Sequence, residues 1–284
     1  MWGIDDMWWI VIPLALAAFV LLYACLIRPN LPRRDISFLQ GVDYAHRGLW
    51  TSNEPGEGNR PENSLAAFRA AVEKGYGMEL DVHLTADGHL VVHHDDSLKR
   101  LTGVDKQIAQ CTLEEVRACR LPNGEPVPTF DELLETVDGQ RPLIVEVKVE
   151  GNAAALSQAV YERMQRYDGP WCMESFDPWA VQWFRRNAPE VIRGQLAFNH
   201  AGKGETAALW WRNIGIASMI QNVWARPDFM ALEAKTEKKW CLPILLLRAM
   251  KPWFVAWTVR SQEDMDALRS RYDLQIFEKF EAKK

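Results

Sequence analysis

The sequence predicts an α/β protein: a (β/α)8, or TIM, barrel with a small hairpin inserted after its second strand, preceded by one N-terminal transmembrane helix. Three observations carry this. An uncharged apolar run fills 7–27, short apolar runs then alternate with amphipathic stretches to the end of the chain, and eight of those runs have strand composition. Such alternation points to βα units and a parallel sheet, and eight units are the number that closes a barrel.

The N-terminal run, MWWIVIPLALAAFVLLYACLI, has 21 residues and no charge. As a helix rising about 1.5 Å per residue it would be roughly 31 Å long, the thickness of a bilayer core. Pro13 lies near one end, where a membrane helix tolerates it. A cleaved signal peptide fits poorly, since the run is too long and its leading flank carries Asp5 and Asp6 with no basic residue. The bulky Tyr23 in LYAC argues against a lipoprotein cleavage site. The stretch RPNLPRRDIS (28–37) is basic and proline-bearing and reads as a juxtamembrane linker. The expected division is therefore an anchor and linker over 1–37 and a barrel over 38–284.

Strands are expected at 42–47, 77–82, 142–148, 171–176, 193–198, 228–232, 253–259 and 274–278. HLTADGHLVVHHD, turning at Asp87-Gly88, supplies the hairpin. Helices are expected over 63–74, with Asn63 and Ser64 as cap candidates, over 129–137 after Pro128, and over 153–166 and 177–187.

Composition narrows the function. With 48% hydrophobic and 25% charged residues the chain is ordinarily globular. Its 33 basic and 38 acidic residues leave a net charge of -5, which disfavours nucleic acid as a partner. The five cysteines are odd in number and form no CxxC pair, so a disulfide framework or zinc site is disfavoured and a reducing compartment favoured.

The chemistry gathers on three strands. Residues two apart in a strand share a face, so Glu79 and Asp81 point together, as do Glu146 and Lys148, while His93 and His94 point apart. His46 and Arg47 end the first strand. Three carboxylates from adjacent strands suit an oxygen-loving divalent cation, Mg2+ or Ca2+, rather than zinc. Two histidines beside them can exchange protons, and Arg47 and Lys148 can neutralise an anion such as phosphate. Each signal alone is weak: a lone Glu-x-Asp is usually a solvent face, and His-His-Asp is often a wet loop. Their joint occurrence in barrel order makes chance the poorer reading.

HRG (46–48), PENSLAAF (61–68), ELDVHLTADG (79–88), VVHHDDSLKRLTG (91–103), PTFDELL (128–134), IVEVK (144–148), SFDP (175–178) and AWTV (256–259) resemble, in order, the glycerophosphodiester phosphodiesterase family. The resemblance covers about 42–278. It implies metal-dependent hydrolysis of glycerophosphodiesters to sn-glycerol 3-phosphate and an alcohol, in glycerophospholipid degradation. It also implies Glu79, Asp81 and Glu146 as ligands of one metal ion, His46 and His94 as acid and base, Arg47 and Lys148 on the phosphate, and Trp257 lining the pocket. The chain departs from the pattern in the long loop LWTSNEPGEGNR (49–60), which would alter access to the rim, and in Glu278, where many members carry aspartate. A lysophospholipase D or phospholipase C activity on membrane lipid is the nearest alternative, and a catalytically inactive membrane-tethered scaffold the alternative of another class.

Arg28, Arg33 and Arg34 follow the apolar run whereas Asp5 and Asp6 precede it. Basic flanks stay cytoplasmic, so a single-pass protein with a cytoplasmic barrel is expected, Trp2, Trp8 and Trp9 anchoring the outer interface. The head group and oligomeric state are not legible.

Overall fold

The structure, a computed structural model, describes residues 8–56, 58–199, 206–235 and 242–283. The chain begins with α1 (Trp8–Ile27). Met7, the expected first residue of that helix, and Trp2, Asp5 and Asp6 lie outside the described residues. α1 is 20 residues long with mean hydropathy 2.8 and is mostly exposed, long and apolar enough to cross a membrane.

Eight parallel strands close a barrel: β1 (Tyr44–His46), β2 (Gly77–Leu84), β4 (Leu143–Val147), β5 (Trp171–Ser175), β6 (Arg193–Ala197), β7 (Phe229–Glu233), β8 (Trp253–Val259) and β9 (Leu274–Phe277). Each pairs with its sequence neighbour, and β1 joins both β9 and β2. All eight strands fall where the sequence put them, with ends shifted by two residues or fewer. The hairpin is also present. β3 (Leu90–Val92) runs antiparallel to the far end of β2, pairing Val82 with Val92 and Leu84 with Leu90. From it the chain makes an excursion through α3 (Lys99–Thr102) and α4 (Leu113–Ala118), which wraps a small core around Leu98, Ile108 and Val116.

The barrel helices are α2 (Leu65–Lys74), α5 (Phe130–Val137), α6 (Ala153–Met164), α7 (Pro178–Asn187), α8 (Ala207–Ser218), α9 (Asn222–Ala225), α10 (Leu242–Met250) and α11 (Gln262–Leu268). Local chemistry fixes their starts. The Ser64 hydroxyl accepts from the Ala67 amide, Thr129 and Glu132 form a capping box, and the Asp177 carboxylate accepts from Trp179 and Ala180 amides. Each such cap contributes about 1 kcal/mol. Of the two cap candidates before α2 only Ser64 serves, because Asn63 is committed to the site. α6 stops at Met164, two residues short of expectation.

Strand alternation sorts the side chains into two layers. Met78, Leu80, Val82, Val145 and Val147 face the helices in the main core. Tyr44, Ile144, Cys172, Leu196, Phe229, Val255 and Ile276 fill the barrel, with Ile36 of the linker and Leu39 just after it packed against them. Close packing there requires glycine: a Cβ on Gly194 would stand 2.0 Å from the Phe229 ring. The apolar plug occupies the N-terminal half of the barrel, leaving the C-terminal half to polar residues.

Candidate active site

The inward positions at the C-terminal ends of β2 and β4 are carboxylates. Asp81 lies in register with Glu146 across that strand pair, and His46 of β1 lies in register with Glu79. One oxygen each from Glu79, Asp81 and Glu146 lies within 4.8 Å of the others, and all three residues are buried. The sequence reading required this convergence, and the structure supplies it. Mutual charge makes the cluster unstable on its own. Burial first, and then the charges of Asp81 and Glu146, push the Glu79 carboxyl well above its ordinary range. Burial opposes ionisation of Asp81 as well, but Lys148, His94, Arg47 and His46 together hold it well below that range. Lys148 Nζ stands 3.0 Å from Asp81 Oδ1 and 2.8 Å from Glu146 Oε1. It stands in for part of the positive charge that three buried carboxylates demand, so the donor set fits a divalent cation.

His46 and His94 flank the cluster. His46 Nδ1 lies 2.7 Å from Glu278 Oε2, which leaves Nε2 facing Glu79 at 3.8 Å. Burial and the Arg47 charge press its pKa down to about 4 against the pull of Glu278, so the ring is neutral at pH 7. His94 Nδ1 bonds Asp95 Oδ1 at 2.6 Å, and the ring is partly open to solvent. β3 ends at Val92, so His94 reaches the site from the loop beyond the strand. His93 instead is buried, its Nδ1 2.8 Å from the Asp95 carbonyl.

Arg47 takes a left-handed backbone (φ 58°), uncommon for a side chain of its size. That conformation turns its amide to Glu79 Oε2 at 3.1 Å while its guanidinium bonds Glu62 at 2.8 Å and passes Asp81 at 3.5 Å. Gly48 follows, also at positive φ, where a Cβ would press on Ala67 at 3.0 Å. The segment 61–64 adds two supports. Asn63 Nδ2 donates to Asp81 Oδ2 at 2.8 Å. Glu62 is held by Arg47, Arg100 and Asn53, and against the effect of burial these partners bring its pKa to about 2. The loop 49–60 thus contributes Asn53 to the site's support.

Three buried residues here, Glu174, His83 and Glu278, are not marked as site partners by the sequence alone. Glu174, opposite Glu146 in register, is buried, and its carboxyl is pushed well up by burial and by Glu146. His83 continues the Glu79, Asp81 alternation by one step. It forms with Asp96 and Glu150 a second group whose ligand atoms lie within 4.8 Å. Extending the period-two count would have found His83, and the same count on WCMES gives Glu174. Glu278 was noted only as a departure. Besides His46 it bonds Arg260 Nε at 2.7 Å.

A cleft of about 840 Å³ opens over the cluster, lined by His94, Glu146 and Lys148 on one side and by Val147, Phe176, Phe198 and Ile216 on another. Trp257 stands behind that apolar wall, 5.5 Å from Phe176 edge to face, its Nε1 donating to the Ala231 carbonyl. A cavity of about 990 Å³ at the opposite end, near Asp43 and Arg269, touches none of these groups.

The glycerophosphoryl diester phosphodiesterase family model matches residues 46–272. Among curated proteins, a glycerophosphodiester phosphodiesterase of Caldanaerobacter subterraneus is 30% identical over 49% of this chain and 62% of its own length. Glycerophosphodiester phosphodiesterase 1 of Mus musculus is 29% identical over 73% of this chain and 67% of its own. Lysophospholipase D GDPD1 of Homo sapiens is 34% identical over 41% of each. The match thus spans less than two thirds of the bacterial relative. Among solved structures, an Oleispira antarctica phosphodiesterase in complex with the product sn-glycerol-3-phosphate superposes with a TM-score of 0.67, at 22% identity over 84% of this chain and 94% of that one. That likeness shows the barrel fold. With the family model spanning the barrel from His46 to Tyr272, the chain belongs to the glycerophosphoryl diester phosphodiesterase family.

Proposed function

We propose that this chain is a membrane-anchored, metal-dependent hydrolase of glycerophosphodiesters, releasing sn-glycerol 3-phosphate and an alcohol. The observation that carries it is the buried Glu79, Asp81, Glu146 triad, its donor atoms within 4.8 Å, with a histidine on either side. These three carboxylates would hold one Mg2+ or Ca2+, which when bound supplies a Lewis acid for a phosphoryl oxygen. Arg47 and Lys148 orient the phosphodiester and offset its charge. His46 is the base: with its proton on Nδ1 facing Glu278, Nε2 presents a lone pair to take the proton of the attacking hydroxyl. His94, oriented through Nδ1 by Asp95, donates from Nε2 to the departing alkoxide. The apolar wall of the cleft, with Trp257 behind it, covers the reacting groups from water.

The chain divides near residue 37 into anchor with linker and barrel. Arg28, Arg33 and Arg34 after the apolar helix support a cytoplasmic barrel. A reporter active only outside, fused after Lys284, would be silent, and signal from it alone would reverse the orientation. For the activity, the full chain is assayed against soluble glycerophosphodiesters with each metal and with chelator. Metal-stimulated release of glycerol 3-phosphate is expected. No release from any diester would leave the inactive scaffold. The apolar wall favours, as a second reading, a lysophospholipase D type activity on lipid diesters.

A further inference from the structure

α1 is fastened to the flank of the barrel rather than joined to it by a loose linker. Tyr23 Oη bonds the Ser218 carbonyl, Asn222 Nδ2 bonds the Ile27 carbonyl, and Arg226 Nη1 bonds the carbonyls of Cys25 and Arg28. From Ile27 back to Tyr23 the partner moves from Asn222 to Ser218. That is away from Asp228, which pairs with Arg193 at the base of β6, and toward Gly215 and Ile216 at the cleft. The helix therefore leaves the barrel at its mouth end.

Length then constrains depth. All 20 residues of α1 span about 30 Å, the thickness of a hydrocarbon core. The part from residue 20 to Ile27, about 12 Å of helix, lies against the barrel flank. Of the described helix only about 18 Å projects freely, less than the thickness of a hydrocarbon core. For α1 to span, the flank around α8, α9 and α10 must itself sink to headgroup depth. That flank is built for it. Trp211 is 65% exposed, Trp179 52%, Trp224 43% and Leu245 65%, with Trp210 and Ile220 beside them. The Trp179 and Trp224 rings meet at a tilt, their centroids 5.6 Å apart. Exposed tryptophans at this density suit the interface, where an amphipathic ring sits between water and acyl chains. Arg226 lies close enough to Arg28 and to Arg185 to be repelled by each, and the three form a cationic rim suited to anionic headgroups. The same α8 and α9 segment gives Arg212, Ile216 and Gln221 to the cleft, so the apolar wall of the site opens onto this face.

We propose that this aromatic and basic flank is a seat on the bilayer, sunk to headgroup depth in an anionic leaflet, across which the site draws acyl-bearing phosphodiesters from the membrane. The proposal rests on reading α1 as an anchor and the cleft as a phosphodiesterase site.

The test uses the full chain reconstituted in phosphatidylcholine vesicles with and without phosphatidylglycerol. It compares a lysophospholipid in the vesicle with glycerophosphoglycerol in solution. Trp211→Glu and Leu245→Glu, both at exposed positions, should lower kcat/KM on the vesicle lipid by about tenfold or more and leave the soluble diester unaffected. Arg185→Gln should cut the gain from phosphatidylglycerol by about fivefold, the equivalent of roughly 1 kcal/mol per basic residue. Equal loss on both substrates, or no loss on the lipid, overturns the seat. A second measurement is independent of turnover. Lipids brominated near the headgroup should quench wild-type emission more than that of the variant combining Trp179→Phe, Trp210→Phe, Trp211→Phe and Trp224→Phe. Equal quenching overturns the seat even in an active enzyme, and unequal quenching upholds it even if no diester is hydrolysed and the activity reading falls.

Discussion

Glu278→Gln isolates the dyad that the proposed mechanism depends on. The glutamate is almost wholly buried, its Oε2 2.7 Å from His46 Nδ1 and its Oε1 2.7 Å from Arg260 Nε. Burial disfavours its charge, yet hydrogen bonding to His46 and Arg260 brings its pKa to about 2, so it is ionised throughout the working range. Glutamine keeps the volume and one acceptor but not the charge that stabilises His46 when the ring takes up a proton. A hydrogen bond to a charged group contributes about 1.5–3 kcal/mol. At 1.36 kcal/mol per factor of ten, kcat should fall about 10- to 150-fold with KM nearly unchanged. The pH profile supplies a second readout. Glu278 raises the pKa of His46 from what burial and Arg47 would impose. A base works only when deprotonated, so activity falls as pH drops through that pKa, and losing Glu278 should move the acidic limb to lower pH. Glu278→Asp keeps the charge and should recover part of the rate, while Arg260→Met, which leaves the His46 contact intact, should do less harm. The assay is steady-state release of glycerol 3-phosphate from a soluble diester. Wild-type kcat and an unmoved acidic limb in Glu278→Gln would refute the assignment of His46 as base.

Glu79→Gln should cost at least about a hundredfold in turnover and weaken the thermal shift on adding metal. The apo fold should survive, since burial and the charges of Asp81 and Glu146 already disfavour an ionised Glu79 and glutamine carries no charge. Undiminished turnover would remove Glu79 from the site. His94→Ala should lose about two to four orders of magnitude in kcat. His93→Ala should keep kcat but lower the melting temperature, because its buried ring bonds the Asp95 carbonyl that shapes the loop; equal kinetic losses would contradict the separation of the two rings. Glu150 has its pKa raised to about 7 by burial and Asp96. Its favourable contribution is complete below the unfolded value near 4.5 and is lost as pH rises through 7. The melting temperature of Glu150→Gln relative to wild type should therefore climb between these limits, modestly because the group is partly solvated; a pH-independent difference would disprove the coupling.

How much of the site could be read from the sequence depended on whether its residues repeat at a period the backbone imposes. Glu79 with Asp81, and Glu146 with Lys148, each sit two apart on one strand, so alternation alone gave them a common face. Register between adjacent strands then did the rest, bringing Asp81 beside Glu146 without any long-range pairing to guess. Parallel neighbours in sequence order are the easiest topology to infer. His94 was assigned to a strand face by the same rule, but the strand ends at Val92, and the ring arrives through a loop anchored by Asp95. His94 does come to the cleft beside Glu146 and Lys148, but by way of that loop and not by strand alternation. Glu278 shows the opposite failure: its position at the end of β9 was visible, but its contact with His46 spans 232 residues and exists only because β9 closes the barrel against β1.

The flank beside α1 was harder still. The residues of α8, AALWWRNIGIAS, place Leu209, Trp210 and Trp211 in one unbroken run, so they carry neither strand alternation nor a clear helical stripe. A helix whose apolar residues face solvent breaks the rule that periodicity marks burial. It becomes intelligible only once a membrane is counted among the surfaces it can pack against. The strands and carboxylates were legible because water and protein core are the only two environments they sort between. On the proposed seat α8 would face a third, and a pattern sorted for an interface looks like disorder when read as core against solvent. The same reasoning explains why Arg226 bonds the last carbonyls of α1. A cation at a helix C-terminus satisfies exposed carbonyls and opposes the helix dipole, and there it fixes the angle at which an apolar helix departs. The apolar helix and the barrel are separable in composition, but what couples them is this pinned junction, which on the proposed seat would set how deep the mouth of the site sits.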